Sequence, residues 1–91
     1  MERVKLKIKG RVQGVFFRAS TKQTADDLGV KGWVKNLSDG TVETLAEGES
    51  QEIEEFIAWC KKGPDNANVT DIDIENQNAT GEFDTFKIVY E

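Results

Sequence analysis

The chain reads as an α+β domain with the element order β-α-β-β-α-β and a further short strand, and three observations predict this. Period-two alternation of apolar and polar residues marks strands at about 4–9, 30–37, 41–47, 71–75 and 86–90. Two stretches with apolar residues at helical spacing, 17–28 and 50–62, lie between them. Glycine, or Gly-Pro, punctuates most of the junctions. With 91 residues, 37% of them hydrophobic, the chain can form one core but not two, so residues 1–91 are expected to make a single domain.

The first strand sets Val4, Leu6 and Ile8 against Lys5, Lys7 and Lys9 and stops at Gly10. The loop Arg11-Val12-Gln13-Gly14-Val15-Phe16 leads to a helix whose stripe is Phe17, Thr21, Ala25 and Leu28, with Gly29 as its terminator. The second strand places Val30, Gly32, Val34 and Asn36 on one side and Lys31, Trp33 and Lys35 on the other. Ser38-Asp39-Gly40 is a turn signal, and the third strand alternates Val42, Thr44 and Ala46 with Thr41, Glu43, Leu45 and Glu47. Ser50 is the expected N-cap of the second helix, with Glu52, Glu54 and Glu55 favouring the positive end of its dipole. Its buried stripe is Ile53, Phe56, Ile57 and Cys60, and Lys61-Lys62-Gly63-Pro64 closes it. Ile72 and Ile74 mark a fourth strand, residues 76–82 a polar loop, and Phe86, Ile88 and Tyr90 a last strand. This is the split βαβ, ferredoxin-like pattern: an antiparallel or mixed sheet with both helices on one face. Many unrelated activities use that architecture, so function has to come from a site.

Twelve basic and seventeen acidic residues leave a net charge of −5. Nucleic-acid binding draws its affinity from Lys and Arg on phosphates, so no nucleic-acid partner is expected; that reading would require a positive sheet face. No apolar run is long enough to span a membrane, and the alternating N-terminal residues lack a signal peptide's apolar stretch. A single cysteine fits a reducing, cytoplasmic compartment. With no histidine and one cysteine, no metal site and no imidazole base is expected.

The segment from Gly10 to Arg18 leaves a buried strand and enters a helix N-terminus, where unpaired N–H groups and the dipole attract anions. Loop amides can curl into a nest, and Gly14 lets a ligand approach the backbone. Arg18, in the first turn, opposes the dipole but could grip two phosphate oxygens with its planar fork. From these features alone a tight strand-to-helix turn with a solvated arginine stays open, as does Asn36 as a residue flanking the turn at 38–40.

The stretch Ile8-Lys9-Gly10-Arg11-Val12-Gln13-Gly14-Val15-Phe16-Phe17-Arg18 resembles the signature of the acylphosphatases. So do Gly32-Trp33-Val34-Lys35-Asn36-Leu37-Ser38-Asp39-Gly40-Thr41-Val42, Gly48 beyond it, Gly63-Pro64 and the C-terminal Phe86–Tyr90. The resemblance spans essentially the whole chain. It implies a cytoplasmic, monomeric enzyme without cofactor or metal that hydrolyses acyl phosphates to a carboxylate and inorganic phosphate, with inorganic phosphate or sulfate as competing anions. By the same resemblance Arg18 is the catalytic arginine, the amides of Gln13, Gly14, Val15, Phe16, Phe17 and Arg18 cradle the phosphate, and Asn36 orients the water. The runner-up is a non-catalytic anion-binding or regulatory domain.

Other residues read as structure. Trp33 and Trp59 are expected to be packing or surface aromatics and not stacking platforms, Cys60 to be inert core, and Arg11 to be a solvated loop residue. Asp71, Asp73 and Glu75 form a solvated strand face that protects an edge by charge. The glycosylation patterns at Asn36, Asn68 and Asn78 are discounted for want of a secretory signal, and Asn68 is expected in a surface loop.

Overall fold

The computed structural model describes residues 1–90; Glu91, part of the single-domain reading, lies outside the described residues. The elements are β1 (Glu2–Arg11), α1 (Phe17–Leu28), β2 (Lys31–Asn36), β3 (Val42–Gly48), α2 (Ser50–Lys62), β4 (Asn68–Gln77) and β5 (Phe86–Ile88). They form a five-stranded sheet in the order β4-β1-β3-β2-β5, antiparallel except for the β2–β5 edge pair. Both helices cover one face, as the alternation and the two helical stripes imply. None of the described helices is long and apolar enough to cross a membrane.

The core follows from register. Val4, Leu6 and Ile8 of β1 stand opposite Ala46, Thr44 and Val42 of β3, so their side chains share the helix-facing side. Phe17, Thr21 and Ala25 of α1 and Ile53, Phe56 and Cys60 of α2 are buried against that side. The two buried threonines are satisfied: Thr21 Oγ1 donates to the Phe17 carbonyl at 2.7 Å and Thr44 Oγ1 to the Trp33 carbonyl at 2.7 Å. Burial pushes the Cys60 thiol far up, in keeping with inert core. Gly32 is required in β2: its φ is +140°, and a Cβ there would lie 1.8 Å from the Leu45 carbonyl oxygen.

Several local expectations shift. The N-cap of α2 is Glu49 rather than Ser50, which is the helix's first residue. The Glu52 carboxylate accepts from the Glu49 N–H at 3.0 Å, so the reciprocal capping arrangement selects the position and not the serine hydroxyl. β2 and β3 run 31–36 and 42–48 instead of 30–37 and 41–47, because the Leu37–Thr41 turn takes residues from both. β4 is longer than expected. It takes in Asn68, assigned above to a loop, which pairs with Arg11, and it continues through Asn76 and Gln77, assigned above to the polar loop, which pair with Val4 and Arg3. Partnership with the ten-residue β1, and not local hydrophobicity, holds these polar residues extended. β5 ends at Ile88, leaving Tyr90 beyond it.

On the face away from the helices, Lys5, Lys7 and Lys9 of β1 are flanked by acidic neighbours on β4 and β3. Lys9 Nζ lies 3.0 Å from Asp73 and 3.9 Å from Asp71, while Lys35 of β2 lies 3.9 Å from Glu43. Interleaved charge therefore replaces the continuous positive face that an RNA strand would need.

The segment from Thr80 to Glu82 is tied to this face by Glu47, only 2% exposed. Its carboxylate accepts from the amides of Thr80 at 2.9 Å and Gly81 at 3.0 Å and lies 3.3 Å from Arg3, which also reaches Glu82 at 2.9 Å. Burial would raise the Glu47 pKa, but these N–H groups, the Thr80 hydroxyl and the Arg3 guanidinium outweigh it and hold the carboxyl below its usual 4.5. A carboxylate with a depressed folded-state pKa stabilises the fold above its unfolded value, and that stability is lost as pH falls through the folded one. The urea midpoint is thus expected to decline as pH drops below about 4.5. The Glu47→Gln variant should start lower at neutral pH and show a shallower decline. Parallel slopes for the two proteins would refute the role of Glu47.

Candidate active site

The segment between β1 and α1 is shaped by two buried anchors. Val12 and Val15 send their side chains into the core, so the residues around them arch over it. Gly14 has φ +74° and Phe16 has φ +62°, with Val15 at negative φ between them. Alternating handedness of this kind turns successive N–H groups towards one side, which makes a nest for an anion. A non-glycine residue held left-handed costs of order 1–3 kcal/mol and is typical of functional loops. Phe16 is also 80% exposed, so its side chain does not repay that cost by burial.

The loop ends in a helix with free donors. Phe16 is the N-cap of α1 and no side chain caps the helix. The Ser20 N–H reaches the Phe16 carbonyl at 3.0 Å; ahead of it, none of the amides from Gln13 to Ala19 has a protein acceptor among the described residues. Unpaired amides at a helix start are the donors an anion requires. Phe17 anchors the helix beneath them, buried and 5.6 Å from the Trp59 ring. Arg18 follows, half-buried, with its guanidinium 5.1 Å from the centre of the Tyr90 ring. No carboxylate pairs with it among the described residues.

Sheet register brings Asn36 to the same end of the molecule. Val42 of β3 pairs with Ile8 of β1 on one side and with Asn36 of β2 on the other. β1 and β2 are parallel to each other across β3, so both leave the sheet at one edge, where open α/β sheets commonly bind ligands. Asn36 Oδ1 is buried and has no hydrogen-bond partner among the described residues. A buried orphan acceptor calls for a water or a ligand.

A cavity of about 300 Å³ opens there. Gln13, Gly14, Phe16, Phe17, Arg18 and Asn36 line it, so the structure gathers these residues at one place. Val15 does not line it, since its side chain belongs to the core. Arg11 lies outside as well, exposed at the end of β1. Ile88 and Tyr90 close the cavity from the C-terminal segment. Sequence reasoning placed Tyr90 on a strand and missed its meeting with Arg18, for which the only local signal is an aromatic residue beyond the last apolar pair. It also missed the Gln13 side chain, whose Nε2 donates to the carbonyls of Leu37 and Thr41, each at 2.8 Å. Trp33 lies beside Lys35 on the open face, and Asp71, Asp73 and Glu75 are exposed on edge strand β4.

The arrangement can hold a tetrahedral anion on neutral amides and one guanidinium, with the Asn36 carboxamide in the same cavity wall. Comparison with known proteins points the same way. The acylphosphatase family model matches residues 4–88. The chain is 48% identical over 91 residues to an acylphosphatase of Syntrophus aciditrophicus, covering 100% of this chain and 95% of that protein. It is 46% identical over 89 residues to an acylphosphatase of Methylococcus capsulatus, covering 98% and 97%. Its structure is similar to the crystal structure of acylphosphatase from Bacillus subtilis, with a TM-score of 0.95, 39% identity and coverage of 99% and 100%.

Proposed function

The chain belongs to the acylphosphatase family, and from that membership we propose that it is a single-domain, monomeric, cytoplasmic hydrolase that cleaves acyl phosphates without a metal, using Arg18, the loop amides and Asn36. The observation that carries this reading is the shared cavity: a loop whose amides have no acceptor among the described residues, Arg18 and Asn36, whose buried Oδ1 has no partner among them, line one space. The cytoplasmic assignment rests on the lone, buried Cys60.

The phosphate group of the substrate accepts from the amides of Gln13, Gly14, Val15, Phe16, Phe17 and Arg18, and the Arg18 fork binds two of its oxygens. Water, accepted by Asn36 Oδ1, is aimed at phosphorus opposite the acyl oxygen. Its oxygen forms the new P–O bond as the bond between phosphorus and the carboxyl oxygen breaks, and the electron pair leaves with the carboxylate. The water proton passes to a phosphate oxygen, so inorganic phosphate and carboxylate are the only products. Phosphoryl transfer asks mainly for positioning and charge stabilisation, which these groups provide. A carboxylate is a stable leaving anion and needs no general acid, consistent with a chain that contains no histidine.

The direct test is phosphate release from acetyl phosphate with a chelator present. Activity should be unaffected by the chelator and competitively inhibited by inorganic phosphate and by sulfate. Activity that disappears with chelator and returns with added divalent cation would overturn the metal-free mechanism. An inactive protein that still binds phosphate would favour the anion-binding alternative.

A further inference from the structure

The Gln13 carboxamide spans two parts of the cavity wall that are distant in sequence. Its backbone belongs to the loop that forms the nest, while both hydrogens of its Nε2 are spent on the β2–β3 turn, at 2.8 Å from Leu37 O and 2.8 Å from Thr41 O. Those carbonyls form the neck of that turn: Leu37 N–H donates to Thr41 O at 2.9 Å and Gly40 N–H to Leu37 O at 3.2 Å. Asn36 is the residue immediately before the neck. A two-point hydrogen bond to fixed carbonyls controls rotation as well as distance, which a single bond does not.

We propose that the Gln13 side chain is a positioning residue of the reaction, setting the distance between the phosphate cradle and the Asn36 carboxamide. The inference rests on the reading of Asn36 given above. It assigns Gln13 a second role that is separate from its backbone amide. In-line attack demands that water and phosphorus meet at near-contact distance, and a 1 Å misplacement of a reacting group costs about 100-fold in rate. The clamp therefore acts on turnover. Phosphate affinity comes from amides and Arg18 on the loop side, which need no help from the turn.

A double-mutant cycle on kcat separates this role from simple stabilisation of the turn. Gln13→Met keeps the length of the side chain and removes both donors, and Gln13→Ala serves as a second variant should the first fold poorly. Each is measured alone and combined with Asn36→Ala, using acetyl phosphate as substrate and inorganic phosphate as competitor, with rates expressed per folded molecule by circular dichroism. We expect Gln13→Met to lower kcat about 10- to 100-fold and to leave the phosphate inhibition constant close to that of the unchanged chain. The double variant should be no slower than Asn36→Ala alone, because the clamp has nothing left to position. Unchanged kcat in Gln13→Met, or losses that multiply in the double variant, would overturn the inference. An Asn36→Ala protein with full kcat would instead overturn the reading of Asn36, and the two failures are thus distinguishable.

Discussion

Replacing Arg18 by alanine is expected to lower kcat/KM by more than about 1,000-fold and to weaken competitive inhibition by inorganic phosphate. Loss of one preorganised donor at a site of developing charge costs roughly 2.7–4 kcal/mol, or about 100- to 1,000-fold. Arg18→Ala removes a full positive charge and a two-point grip together, in a site where neutral amides supply the other donors. Arg18→Lys is the sharper experiment. An ammonium retains the charge but presents no planar fork, and it replaces the delocalised guanidinium that sits 5.1 Å from the centre of the Tyr90 ring with a compact point charge. The lysine variant should be severely impaired in turnover while folding normally, because Arg18 is only half-buried and a lysine keeps a long, positively charged side chain at that position. A folded Arg18→Lys protein with ordinary kcat would mean that charge alone suffices and that the fork is irrelevant.

Asn36→Ala is expected to lower kcat by about 100-fold, the scale of a lost alignment, with phosphate inhibition nearly unchanged. The prediction follows from Asn36 Oδ1 having no protein partner among the described residues. An acceptor that is buried and unpaired contributes little to folding, so its removal should not unfold the chain; it even relieves a desolvated group. Stability measured by urea unfolding is accordingly expected to fall little or not at all. A change confined to KM, with kcat intact, would make Asn36 a binding group rather than one that directs water.

These outcomes bear on how far such a site can be read from a sequence. The β1–α1 loop was legible because its signals are local: Gly14 before a helical stripe and an arginine placed against the dipole. The strand stop expected at Gly10 was not, since β1 passes a bulge at Lys9–Gly10 and continues to Arg11, paired with Asn68 of β4. Asn36 was not legible in the same way. Taken locally it is an asparagine ahead of a Ser-Asp-Gly turn, and only the resemblance singled it out. Its nearness to the loop comes from β3 lying between β1 and β2, with Val42 paired to both Ile8 and Asn36. The two Gln13 hydrogen bonds span 24 and 28 residues, and the Arg18–Tyr90 contact joins α1 to the C-terminal segment. No periodicity reports such pairs.

What the amino-acid order determined by itself were the strands, the helices, the face each buries and the place where an anion could settle, because backbone sterics, side-chain alternation and helix ends act over a few residues. What only the tertiary structure decided were the extent of β4, the clamp of Gln13 on the turn and the meeting of Arg18 with Tyr90. Those depend on which strand pairs with which and in what register, and long-range pairing is selected by burial and hydrogen bonding summed over the whole fold.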